Sequence, residues 1–154
     1  MPQHQTELIL DVPVRSAWDF LTTTANIPKI ALPDIQLVIE EAPSHLEQGS
    51  RIRFCIEVMG AIIHATHEIV EFVPFERFVE EQVEGSFASW RHEHEFLTDD
   101  EGRTVVRDTI DFERPGGLVG LLMTEARVRK QLDEGFEHRE FRLKQLLGTG
   151  ELGS

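Results

Sequence analysis

Apolar and polar residues change their spacing along the chain, and each change predicts an element. Residues 4–11 (HQTELILD) predict a first strand with Leu8 and Leu10 on one face. Pro13 predicts the start of a short helix running through Thr22, because a proline near a helix start gives up only an N–H that would lack a partner. Val14, Trp18 and Leu21 recur at helical spacing with Ala17 beside them, which predicts one buried stripe. Thr22–Asn26 and Pro28 break that helix, and a second short helix or loop runs to Pro33 and Asp34. From Ile35 the period becomes two. Strands are predicted at 35–41, 50–59, 61–73, 76–84, 88–97 and 103–113. Turn chemistry separates them at Pro43-Ser44, Gly49-Ser50, Gly60, Pro74, Gly85-Ser86 and Asp99–Gly102. Consecutive strands joined by short turns imply an antiparallel meander.

Pro115-Gly116-Gly117 ends the last strand, and residues 118–147 predict one long helix. At 1.5 Å per residue it would span about 45 Å. Leu118, Leu121, Leu122, Val128, Leu132, Phe136, Leu143 and Leu147 form its apolar stripe, and Gly148 stops it. The predicted fold class is α+β: a curved antiparallel sheet of about seven strands around a long C-terminal helix, with two short helices after strand 1. One sheet must cover its apolar face, and the final helix is the only element large enough to do it. A curved sheet under one helix leaves a cavity, the usual form of a ligand site.

Length and charge narrow the reading. The 154 residues predict one domain over 1–148, with a small, flexible tail at 149–154. Lys and Arg total 15 against 28 Asp and Glu, a net charge of −13, which argues against nucleic acid and against an anionic membrane surface. Cys55 is the single cysteine, so no intrachain disulfide can form, and its apolar run predicts a buried, inert thiol. Residues 1–12 lack the basic start and apolar run of a signal peptide, and no segment is long and apolar enough for a membrane span. A cytoplasmic protein is the expectation.

The densest polar constellation is Trp90, His92, His94 and Asp108. Residues 90, 92, 94 and 96 share one strand face, and Trp90 and Phe96 predict that this face is buried. Pairing with strand 103–113 brings His92 or His94 opposite the Asp108 region. A His–Asp pair there would fix the imidazole tautomer; it would serve either as a pocket acid/base or as a structural polar pair. His92, His94 and Asp108 would also make a minimal metal set, but a donor set this thin predicts no metal. His64 and His67 point to opposite faces, so one of them can line the cavity. His4, His45 and His138 read as exposed. Arg107, Arg114 and Arg139 read as surface ion pairs, and Glu80, Glu81, Glu84, Glu93 and Glu95 as the solvated outer face of the sheet. The predicted pocket lining is Phe54, Trp90, His92, His94, Val106, Asp108, Phe112, Val128, Leu132 and Phe136.

These residues carry a resemblance. Val12-Pro13-Val14 and Ala17-Trp18-Asp19-Phe20-Leu21, then Trp90-x-His92-x-His94-x-Phe96, Thr104, Asp108 and Pro115-Gly-Gly-Leu, and finally Leu132, Phe136, Arg139 and Leu143, resemble the START/SRPBCC superfamily. The set is most similar to its polyketide cyclase/dehydrase-like and coenzyme Q-binding-like members. The resemblance implies a helix-grip fold that binds, and can carry, a small hydrophobic or amphipathic molecule: a lipid, an isoprenoid quinone or a polyketide-like aromatic. No cofactor is implied. A competing implication is a cyclase or dehydratase, a lyase or isomerase, using His92 or His94 with Asp108 for proton transfer. A third is a protein-interaction module, with a protein partner or a homodimer left open.

Overall fold

The structure, a computed structural model, describes residues 1–148; the tail predicted at 149–154 lies outside the described residues. The strands are β1 (Gln3–Leu10), β2 (Val38–Glu41), β3 (Arg51–Val58), β4 (Ala61–Val73), β5 (Arg77–Glu84), β6 (Ser89–Thr98) and β7 (Thr104–Glu113). The helices are α1 (Val14–Leu21), α2 (Ile27–Ile30), α3 (Gly117–Leu122) and α4 (Glu125–Leu143). The sheet runs β1-β7-β6-β5-β4-β3-β2, antiparallel throughout. The meander is the predicted one, with β1 added against β7. Because β1 and β2 lie at opposite edges, α1 and α2 carry the chain from one edge to the other. The β3–β4 hairpin closes in two residues, Met59 and Gly60, both at positive φ, which matches the twist of the strands it joins.

Inner-face residues of β7 alternate cleanly: Thr104, Val106, Asp108, Ile110 and Phe112 are all buried. Their β6 partners are Thr98, Phe96, His94, His92 and Trp90. The stripe predicted for α1 packs here as well. Trp18 meets Phe72, Phe78 and Phe96 at ring-centroid distances of 5.1, 5.7 and 5.0 Å.

Three parts of the expected architecture change. The strand predicted from Ile35 begins only at Val38, because Pro33–Ile35 make a 3-10 turn and Gln36 is left-handed. The single helix predicted over 118–147 is broken at Met123 and Thr124. There the Thr124 hydroxyl caps α4 by accepting from the Arg127 N–H, while the Arg127 and Arg114 guanidinium groups donate to the Leu122 and Gly120 carbonyls of α3. The break turns Leu118, Leu121 and Leu122 outward, so they leave the predicted stripe. Beyond Leu143 the chain widens into a π-helical turn at Lys144–Gly148. No helix among the described residues is long and apolar enough to cross a membrane.

Candidate functional site

Between the concave face of the sheet and α4 lies a cavity of about 340 Å³. Its walls are mostly aliphatic and aromatic: Ile27, Ile30, Leu37, Ile39, Ile52, Phe54 and Ile56 on one side, Val128, Leu132, Gly135 and Phe136 of α4 on the other. One wall is different. His67, Glu80, His92, His94 and Arg139 meet there, with Asp108 directly behind.

Strand register places these groups. His94 pairs with Asp108 on one side and Phe78 on the other; His92 pairs with Ile110 and with Glu80. Side chains of one parity share a face, so Glu80 is brought inward with the histidines. His92 Nε2 donates to Asp108 Oδ1 at 2.8 Å. Arg139 of α4 donates to Asp108 Oδ2 at 2.6 Å. Glu80 accepts from His94 Nε2 through Oε1 and from His67 Nδ1 through Oε2, each at 2.9 Å. His94 Nδ1 lies 3.1 Å from Asp108 Oδ1, off the direction of a full hydrogen bond. The His92 and His94 rings stack with centroids 3.7 Å apart, and Phe78 stacks on His94 at 4.1 Å. The result is one chain of contacts, Arg139–Asp108–His92/His94–Glu80–His67.

Burial raises the proton affinity of both carboxylates, but their partners outweigh it. Arg139, His92 and His94 hold Asp108 well below its ordinary range, and His67 and His94 do the same to Glu80. The two imidazoles separate. Burial, with His94 close by, pushes His92 down to about 4. Burial also opposes the charge on His94, yet the nearby Asp108 carboxylate and the hydrogen bond to Glu80 raise it above its ordinary 6.5. Near neutral pH, Asp108 and Glu80 are therefore anionic and His92 neutral, while His94 holds its proton more tightly than a free imidazole. Each buried carboxylate has partners on both oxygens, as a low-dielectric wall requires. Glu80, His92 and His94 also offer three donor atoms within 4.8 Å of one another.

A family profile described as "Domain of unknown function (DUF8410)" matches residues 9–147. The chain belongs to the DUF8410 family. No curated protein matches it in sequence. Solved structures show the fold of this DUF8410 chain. A Thermus thermophilus protein is 17% identical, with 94% of this chain and 98% of that one covered, at a TM-score of 0.68. A Chromobacterium violaceum protein is 12% identical over 96% and 99%, at 0.71. Ginseng (Panax ginseng) major latex-like protein 151 is 18% identical over 91% and 95%, at 0.64. The shared architecture is the helix-grip fold.

Of the residues predicted to line the pocket, Phe54, Trp90, His92, His94, Val128, Leu132 and Phe136 do so in this DUF8410 chain. Val106 and Phe112 do not: both are fully buried core. Asp108 is not a wall residue either; it stands behind His92. Glu80, expected on the solvated face, is the centre of the polar wall. Arg139, expected in a surface pair, neutralises a buried aspartate. His4, expected exposed, is buried and bonded to Asp133 at 2.8 Å, while His138 is half-buried. Arg114 is exposed, as expected, but bonds backbone carbonyls rather than an acid. Cys55, expected buried, is half-exposed on the outer face. The missed residue with most weight is Glu80. In Phe78-Val79-Glu80-Glu81 both Phe78 and Val79 are buried, so alternation alone does not say which glutamate faces inward.

Proposed function

We propose that this protein binds a small, mostly apolar molecule carrying one polar end, as a START/SRPBCC-type binding or carrier domain. The apolar body lies along Ile52, Phe54, Ile56, Leu132 and Phe136, and the polar end meets His67, Glu80, His92 and Arg139. Lipid-like, quinone-like and polyketide-like aromatic molecules have this character. The reading takes residues 1–148 as one domain working in the cytoplasm, with no resident cofactor. One observation carries it: the cavity stays open beneath α4 and ends on a neutralised polar wall. Its volume falls within the ~300–1,000 Å³ typical of small-molecule sites. Burying apolar ligand surface supplies ~25 cal/mol per Å²; the wall fixes orientation.

Native mass spectrometry of protein purified from its own host tests this reading, together with binding of an apolar fluorescent probe. The expected result is a retained small molecule or saturable probe binding, lost when Ile56→Trp fills the cavity. Probe binding unchanged by Ile56→Trp, with no retained molecule, would overturn it.

A second reading is supported by the 2.8 Å contact between His92 and Asp108 at the cavity wall. With its Nε2 proton held by Asp108, neutral His92 keeps Nδ1 as a proton acceptor 3.5 Å from Glu80 Oε1, so the two groups together would take the proton that cyclisation or dehydration moves. Here the ligand is a substrate, and His92→Gln abolishes turnover while leaving binding within a few-fold. If His92→Gln weakens binding and no candidate molecule is ever converted, the carrier reading stands alone.

A further inference from the structure

We propose that Cys55, His64 and Glu40 form a binding site for a zinc-class divalent cation on the outer face of the sheet. The three side chains come from three adjacent strands, and register brings them together. Cys55 of β3 is the direct partner of His64 on β4 and of Val38 on β2. A bulge in β2 between Ile39 and Glu41 shifts the pairing there, and Glu40 reaches His64 Nδ1 with Oε1 at 2.9 Å. One donor atom from each of the three lies within 4.8 Å of the other two. Arg53, the nearby cation on the same face, reaches Glu41 at 3.7 Å and leaves Glu40 to His64.

The donor chemistry is that of zinc. A thiolate, an imidazole and a carboxylate are its usual ligands, and three protein ligands leave a fourth position for water. At the usual metal–ligand lengths, neighbouring donors of a tetrahedral site sit about 3.4 Å apart. The Glu40–His64 contact is shorter than that and the other separations are within side-chain reach, so small rotamer shifts form the site. Among the described residues His64 and Glu40 are exposed, so an ion enters from solvent. The site lies on the opposite side of the sheet from the cavity and does not depend on what the cavity holds.

Cobalt is the probe, because a cysteine-bound Co²⁺ shows a thiolate-to-metal charge-transfer band and Cys55 is the chain's only thiol. Titrating the purified, reduced protein with Co²⁺ is expected to give this band at one ion per chain, bleached by Zn²⁺. Cys55→Ser, nearly isosteric, is expected to remove the band and weaken Zn²⁺ by more than about 100-fold, beyond the 10–100-fold typical of outer-shell partners. His64→Gln should weaken it similarly, while Glu80→Gln on the inner face leaves the band intact. Circular dichroism confirms that each variant is folded. Absence of the band at saturating Co²⁺, or Zn²⁺ binding to Cys55→Ser as tight as to the parent, would overturn the proposal.

Discussion

The concave face of the sheet has a filled half and an open half, and α4 lies over both. Toward its C-terminal end Leu143 is fully buried in a cluster with Leu8, Leu10, Trp18, Phe78, Phe96 and Val106. Further toward its N-terminal end Leu132, Gly135 and Phe136 look across empty space. The strands continue the same alternation through both halves. What differs is the third layer: α1 inserts Trp18 into the first half, while α2 only borders the cavity in the second. Between the halves runs the polar belt. On β7 Asp108 separates Val106, in the large cluster, from Ile110, in a smaller one with Phe112, Met123 and Val128. A buried charge network separates the two clusters along this strand and forms one wall of the cavity.

Breaking the belt should have the largest effect. Asp108→Ala leaves Arg139 without its partner in a buried site, with His92 and His94 each losing a carboxylate. Removing one member of a buried charge pair costs about 3–5 kcal/mol. Urea unfolding should show that loss, and a cost below 1 kcal/mol would mean the belt is solvated. Next comes a contrast on one helix. Leu143→Ala should cost about 2–5 kcal/mol because a packed wall loses its contacts. Leu132→Ala should cost less, since its side chain is only partly buried and borders the cavity, while probe affinity changes. Equal costs at the two positions would erase the distinction between the halves.

The belt also sets a pH profile, and the signs differ by group. Asp108 and Glu80 are depressed when folded, so their stabilisation is present above pH ~4–4.5 and is lost as pH falls toward their folded values. His92 is depressed from 6.5 to about 4, so the unfolded chain takes up its proton first and stability declines between those values. At about 1.4 kcal/mol per unit that decline is about 3 kcal/mol. His94 is raised, so its contribution is complete below 6.5 and disappears as pH rises through its folded value. The groups titrate together, and the observable is a maximum of thermal stability near pH 6.5, not one residue's midpoint. Glu80→Gln should flatten the alkaline side of that curve, and an unchanged curve would place His94's charge elsewhere.

These contrasts show what was legible in the chain. Apart from the start of β2, the strand boundaries followed to within a residue from alternation and turn residues, because half-buried strands must alternate. His92, His94 and Asp108 were readable as neighbours, since one turn fixes the β6–β7 register. Glu80 and Arg139 were not. Each reaches the belt from another element, β5 or α4, and inward placement rests on strand parity or helix rotation that local composition does not encode. The helix break at Met123–Thr124 was hidden for a related reason: its apolar spacing runs on across the break, and the Thr124 cap is a single residue. In β7, Val106 and Phe112 carry the same sequence signal as a pocket wall. Which inward residues face a neighbour and which face the cavity depends on the layer above them.

The smallest effect has the opposite sign. Gly135 lies within α4 over the open half, and a Cβ added there meets nothing within 4 Å. Glycine inside a helix costs about 1 kcal/mol relative to alanine, so Gly135→Ala should stabilise the fold by up to about 1 kcal/mol. The new methyl points into space that a ligand would use. If the cavity is for binding, the same change that raises the melting temperature should lower the affinity for an apolar probe. A glycine at this helical position then trades stability for volume. Higher stability with unchanged probe affinity would mean that the ligand does not reach α4 at this turn, and that the functional end of the cavity is the belt alone.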